Sequence, residues 1–233
     1  LPQPLAVAGA LAGAVAVAVV LLQRQAGSVL AMAAASGRRS GGWPADPEGR
    51  PPRPAKGRPG AVVFDLDACI WLPDTWGGSG PPFVKTGPTS VRCSGGETMQ
   101  LLPGARDVLH QLRTDPQWAG TKVAVASCCA YPHWAEELFD TYELEPGMKL
   151  REAWDMVVIQ GSDKQAHFKK ISAQLQVPYA EMVFFDDWIH NIERVGYLGV
   201  TCVHTPKGMT NQCWQEAVQK FKARGKSKRR RSR

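Results

Sequence analysis

The sequence predicts an α/β fold built on a doubly wound, mainly parallel sheet of about five strands. Three observations predict it. Five short apolar runs alternate with stretches of helical period, the order that parallel βαβ units require. The main runs are apolar throughout rather than at every second position, as expected of strands covered on both faces. Two of them end in paired acids, and open α/β sheets hold ligands at the carboxyl ends of their strands.

The elements follow in order. Residues 61–65, Ala-Val-Val-Phe-Asp, form the first strand, with Asp67 two positions beyond Asp65. Residues 71–100 are rich in Trp, Pro, Gly, Ser and Thr and have no helical period, so they read as a loop or small hairpin flap. Residues 103–113 set Val108, Leu109 and Leu112 on one helical face behind a starting Pro103. A strand at 122–126 finishes at Ser127, and 134–144 carries the next helical stripe. The strand at 156–160 meets a Gly turn, and Lys164 opens a helix over 164–175. The strand at 182–185 runs into Asp186 and Asp187, a short helix spans 190–198, and 199–203 is the last strand.

The ends of the chain differ from this body. Residues 1–60 hold seven basic residues and only two acids, Asp46 and Glu48. Residues 222–233 hold eight basic residues and no acid. Residues 61–221 hold 13 basic and 19 acidic residues, so the formal charge of +7 belongs to the ends and gives no support to a nucleic-acid-binding fold. The basic tail, 222–233, is expected to be disordered and open to contact with acidic surfaces. In the leader, residues 5–22 are uninterrupted small and apolar residues, just long enough to span a bilayer but mostly Ala, Val and Gly, so that insertion would be weak. Residues 38–60 are rich in Pro, Gly and Arg, a composition that cannot bury a core. The leader 1–60 therefore reads as a targeting or anchoring segment plus linker. An acid-poor, Arg- and Ser-containing leader places import into an organelle (chloroplast or mitochondrion) ahead of a membrane anchor, with a cytoplasmic location as the remaining alternative. Residue 1 is Leu rather than Met, which leaves open a start further upstream.

The six cysteines contain no CxxC pair and no zinc spacing with histidine. Cys69, Cys128 and Cys202 lie in or just after apolar strands and read as small buried hydrophobes in a reducing compartment.

The chemistry concentrates at four strand ends. Asp65 and Asp67, with Asp186 and Asp187, would bring up to four carboxylates together on neighbouring strands. Like charges that close require a cation among them, and hard oxygen donors with room for water suit Mg²⁺. Ser127 offers a hydroxyl and Lys164 an ammonium, which together with backbone amides are what a phosphate needs. The competing account makes each acid a helix cap, Ser127 an N-cap and Lys164 a solvated charge.

In this order the set resembles the four motifs of the haloacid dehalogenase superfamily of phosphohydrolases, and its magnesium-dependent phosphatase-1 branch in particular. Val63-Phe-Asp-Leu-Asp67 with Trp71, Pro81-Pro-Phe83, Leu102-Pro103, Glu137-Leu-Phe-Asp140, His167-Phe168, Val177-Pro178, Met182-Val-Phe-Phe-Asp-Asp187, Asn191-Ile192 and Leu198-Gly-Val-Thr-Cys202 carry the resemblance over about 61–220. It implies a Rossmann-like sheet, bound Mg²⁺ and an aspartyl-phosphate intermediate. Asp65 would be the nucleophile. Asp67 would be general acid and then base, with its backbone carbonyl on the metal. Ser127 and Lys164 would hold the phosphoryl oxygens. Asp186 and Asp187 would complete the metal site, with Asn191 supporting them. The implied substrate is a phosphorylated protein, such as a phosphotyrosine protein, or a small sugar phosphate.

Three departures bear on specificity. Cys69 stands where the family has Thr or Val, Cys128 where the branch has a basic residue, and Asp163 is inserted before Lys164. The intervals between motifs leave no room for a cap domain, so an open site is expected. Two other classes stay in view: a receiver-like phospho-acceptor and a catalytically degenerate binding module. The presence of Asp67 argues against the first and the intact residue set against the second.

Overall fold

A computed structural model of the chain describes Trp43 and residues 52–161 and 163–231. The apolar run 5–22 and nearly all of the leader lie outside the described residues. Among the described residues no helix is long and apolar enough to cross a membrane.

The strands are β1 (Ala61–Phe64), β2 (Trp71–Leu72), β3 (Val84–Gly87), β4 (Ser90–Arg92), β5 (Thr98–Leu101), β6 (Lys122–Ser127), β7 (Glu143–Glu145), β8 (Met148–Lys149), β9 (Met156–Ile159), β10 (Met182–Asp186) and β11 (Thr201–His204). The helices are α1 (Pro103–Thr114), α2 (Pro132–Thr141), α3 (Lys164–Leu175), α4 (Ile189–Gly196) and α5 (Asn211–Arg231). The five expected strands form one sheet in the order β11-β10-β1-β6-β9, every pair parallel. This is the expected α/β class. All four residues of β1 are fully buried because the strand is central and covered on both faces.

Alternate side chains of the sheet feed two cores. Val62, Phe64, Val123, Val125, Val183 and Phe185 pack with α1, α2 and α5. Ala61, Val63, Ala124, Ala126, Met182 and Phe184 pack with α3 and α4 on the other face. The chain runs outward from β1 through β6 to β9, then returns to the far side of β1 as β10 and β11. The reversal between β1 and β10 opens a crevice at their carboxyl ends.

The flap is larger than a hairpin. Residues 71–101 supply a four-stranded antiparallel sheet in the order β2-β5-β4-β3. In β5, Met99 and Leu101 are buried while Thr98 and Gln100 are exposed, the period-2 signature of a half-covered sheet. Strands this short leave little periodic signal.

Residues on both sides of 61–221 pack on the body of the fold. The Trp43 indole donates to Leu112 O at 3.3 Å, and the Arg58 guanidinium lies 4.0 Å from the centre of the Trp118 ring. Thr121 Oγ1 donates to Pro59 O, and a Cβ on Gly120 would sit 2.5–2.7 Å from the backbone of 52–54. The linker thus packs on the domain from residue 52. At the other end α5 carries the chain in helical form to Arg231, where a disordered tail was expected. Arg224 reaches across to Gly199 O at 2.8 Å and Thr201 Oγ1 at 3.0 Å. Trp214 and Ala217 are buried, with Val218 and Phe221 packed against the same core. Their i, i+3, i+4, i+7 spacing makes the apolar stripe that docks the helix.

Candidate active site

Register puts the acids together. Phe64 pairs with Phe185 on one side and with Val125 on the other. Asp65 N then continues the ladder to Phe185 O at 2.9 Å. Asp65 therefore lies beside Asp186, with Ala126 and Ser127 ending the opposite neighbour. After Asp65 the chain turns tightly: Cys69 N and Ile70 N both return to Leu66 O. Ala68 adopts a left-handed φ of 55° in this turn, a conformation that costs a non-glycine residue about 1 kcal/mol.

Asp65, Asp186 and Asp187 each present a carboxylate oxygen within 4.8 Å of the others. Lys164, 2% exposed, enters this cluster from the first turn of α3. Its Nζ lies 2.5 Å from Asp65 Oδ1, 3.1 Å from Asp186 Oδ2 and 2.6 Å from Ala126 O. It is not a solvated charge. Nor does Asp163 disturb its reach: the Asp163 side chain accepts from Gln165 N and caps the helix that presents the lysine. Asp186 is fixed by donors on both oxygens, with Trp188 N on Oδ1 at 2.8 Å and Asn191 Nδ2 at 3.1 and 3.0 Å. Asn191 thus holds both oxygens of Asp186 through one side-chain amide. His204 Nε2 lies 2.8 Å from Asp187 O and holds that loop to the end of β11.

Two expectations need correction. Four carboxylates were expected in one cluster, but the Asp67 side chain lies outside the triad. Its oxygens are held by Trp71 and Thr75 of the flap. Cys128 is exposed, whereas Cys69 is buried against Phe185 O and Thr205. Ser127 is buried and accepts from Cys129 N at 3.2 Å; α2 begins only at Pro132, so Ser127 is not that helix's cap. Sequence reasoning missed Thr75, whose Oγ1 lies 3.1 Å from Cys129 Sγ beside Asp67. Burial pushes the Cys129 thiol up to about 11, aided by the charge of Asp67, so it stays protonated.

The electrostatics match a divalent cation. Burial pushes Asp65 from 3.8 up to about 6, with Asp186 adding to the rise and Lys164 opposing it. Burial also raises Asp186 and Asp187. Burial works against the Lys164 ammonium, but Asp65 and Asp186 outweigh it and the lysine is raised. Three carboxylates against one ammonium leave two negative charges for hard oxygen donors to share with a cation.

The sequence comparisons agree with this geometry. The Acid Phosphatase family profile matches residues 58–224. The chain belongs to this family. It is 32% identical over 165 residues to a human protein named magnesium-dependent phosphatase 1, covering 70% of this chain and 87% of that one. It is 30% identical over 150 residues to a HAD-like hydrolase superfamily protein of Schizosaccharomyces pombe, covering 61% of this chain and 83% of that one. Among solved structures, the N-terminal part of a Bacteroides fragilis protein, containing a phosphatase domain complexed with Mg, superposes with a TM-score of 0.50 at 17% identity. That match covers 71% of this chain and 40% of that structure. The haloacid dehalogenase resemblance, the phosphatase class and the magnesium expectation all accord with these relatives.

Proposed function

We propose that this member of the acid phosphatase family is a Mg²⁺-dependent phosphomonoester hydrolase that works through an aspartyl phosphate on Asp65. The observation that carries this reading is the Asp65–Asp186–Asp187 triad with Lys164 buried among it. Bound Mg²⁺, held by those three acids, would supply Lewis-acid charge to the phosphoryl oxygens. Asp65 attacks phosphorus as the ester oxygen departs with a proton from Asp67. Asp67 then takes a proton from the water that attacks the acyl phosphate, which releases inorganic phosphate and free Asp65. Ser127 and Lys164 hold the transferring group.

Hydrolysis of p-nitrophenyl phosphate by the full chain should require Mg²⁺ and cease in EDTA; full turnover in metal-free buffer sinks the proposal. The titration of the site gives a second readout. The pKa of Asp65 is raised on folding, so between about 4 and 6 the folded state holds more protons than the unfolded one. The stability this group contributes is present at low pH and is lost as pH rises through about 6. Protons also compete with the cation. Mg²⁺ at a hundredfold excess over Kd should therefore raise Tm by about 5 °C or more at pH 7.5 and by much less at pH 5. An equal shift at both pH values contradicts the triad as the metal site.

Two exposed indoles favour an aryl leaving group over a sugar. Trp188, 60% exposed, directly follows Asp187, and Trp76, 79% exposed, directly follows Thr75, which holds Asp67. An aromatic contact contributes about 0.5–1.5 kcal/mol, so Trp188→Ala should raise KM for a phosphotyrosine peptide about three- to tenfold. KM for a hexose 6-phosphate should stay unchanged. Equal changes for both substrates would remove the aryl preference.

A further inference from the structure

Asp67 is tethered more closely than a free general acid would be. Its Oδ1 accepts Trp71 Nε1 at 2.7 Å and Thr75 N at 2.9 Å; its Oδ2 accepts Thr75 Oγ1 at 2.7 Å. Trp71 and Thr75 are both fully buried. A carboxylate has about four lone-pair sites, and three are taken. The remaining one is on Oδ2, the oxygen that also accepts the Thr75 hydroxyl. Thr75 Oγ1 gives its single proton to Asp67, so it accepts from Cys129 Sγ, 3.1 Å away. Cys129 N in turn donates to Ser127 Oγ at 3.2 Å. A run of contacts thus links the flap, Asp67 and the end of β6.

We infer that Thr75 is a positioning residue for proton transfer: its hydroxyl and backbone N–H fix both oxygens of Asp67 and leave one lone pair of Oδ2 to carry the proton. This rests on the hydrolase reading above. The residue comes from the flap, not from any of the four motifs. Its effect should scale with how much the leaving oxygen needs a proton. Phenolate needs protonation more than p-nitrophenolate does, while the two esters are similar in size and in their aryl ring.

The test compares kcat/KM of the full chain with Mg²⁺ on phenyl phosphate and on p-nitrophenyl phosphate. Thr75→Val keeps the bulk and the backbone N–H and removes the hydroxyl. The expected loss is about tenfold on phenyl phosphate, part of the roughly 10²–10⁴ that proton transfer supplies, and under about twofold on p-nitrophenyl phosphate. Thr75→Ser should restore both. The ratio of the two losses does not depend on how much of a sample is folded, so a poorly folding variant still reports. Equal losses on both esters, or none on either, overturn the positioning role alone. Wild type that turns over neither ester overturns the hydrolase reading and the positioning role with it.

Discussion

Asp65→Asn should abolish turnover, by roughly 10⁴-fold or more, in a chain that stays folded. Asn keeps the shape of the residue and can still accept from Lys164 Nζ, which stands 2.5 Å from Asp65 Oδ1. It is far too weak a nucleophile to form an acyl phosphate. The substitution also removes one negative charge from a cluster whose carboxylates are all pushed up by burial. Tm of the metal-free variant should therefore equal or exceed that of wild type at pH 7.5. Circular dichroism melts and a phosphate-release assay check both halves. A capping role for Asp65 predicts the reverse, a stability loss of about 1 kcal/mol with activity kept.

Lys164→Met carries the largest expected stability loss. The lysine is 2% exposed and reaches two carboxylates and one backbone carbonyl. Removing one partner of a buried ion pair costs about 3–5 kcal/mol because the remaining charge is left uncompensated. For a domain of this size that is about 10 °C in Tm at neutral pH. The deficit should shrink at pH 5, where the acids of the triad take up protons, and on adding Mg²⁺. A thermal melt of the variant at pH 7.5 and pH 5 decides it. An unchanged Tm at pH 7.5 would mean that the ammonium does not hold the acids together.

The sheet is legible in the sequence because its strands are apolar without interruption: Val62 to Phe64 and Met182 to Phe185 admit no amphipathic pattern. The site is legible because a carboxylate at the end of a buried strand is costly unless a cation or an ammonium meets it, and here two such strands carry acids. Its finer placement is not legible. Asp67 lies two residues from Asp65, and nothing in that interval shows that Ala68 turns left-handed or that Thr75 folds back onto the acid. The flap sheet leaves no trace because strands of two to four residues carry too little period. The helical stripe expected over 134–144 overruns α2, which stops at Thr141; Pro146 and Gly147 mark the turn between β7 and β8 that follows. In α5, Trp214, Ala217, Val218 and Phe221 show helical spacing, but the basic run beyond them has the composition of a disordered tail.

In the proposed mechanism phosphate passes through the Asp65 carboxylate. Rapid quench of the full chain turning over phenyl phosphate with Mg²⁺, followed by borohydride reduction and peptide mass spectrometry, tests it directly. Borohydride reduces an acyl phosphate to the alcohol, so position 65 should appear as homoserine in wild type, and no such product should form in Asp65→Asn. Steady turnover with no reduced residue at 65, or with the modification at another acid, would contradict the account.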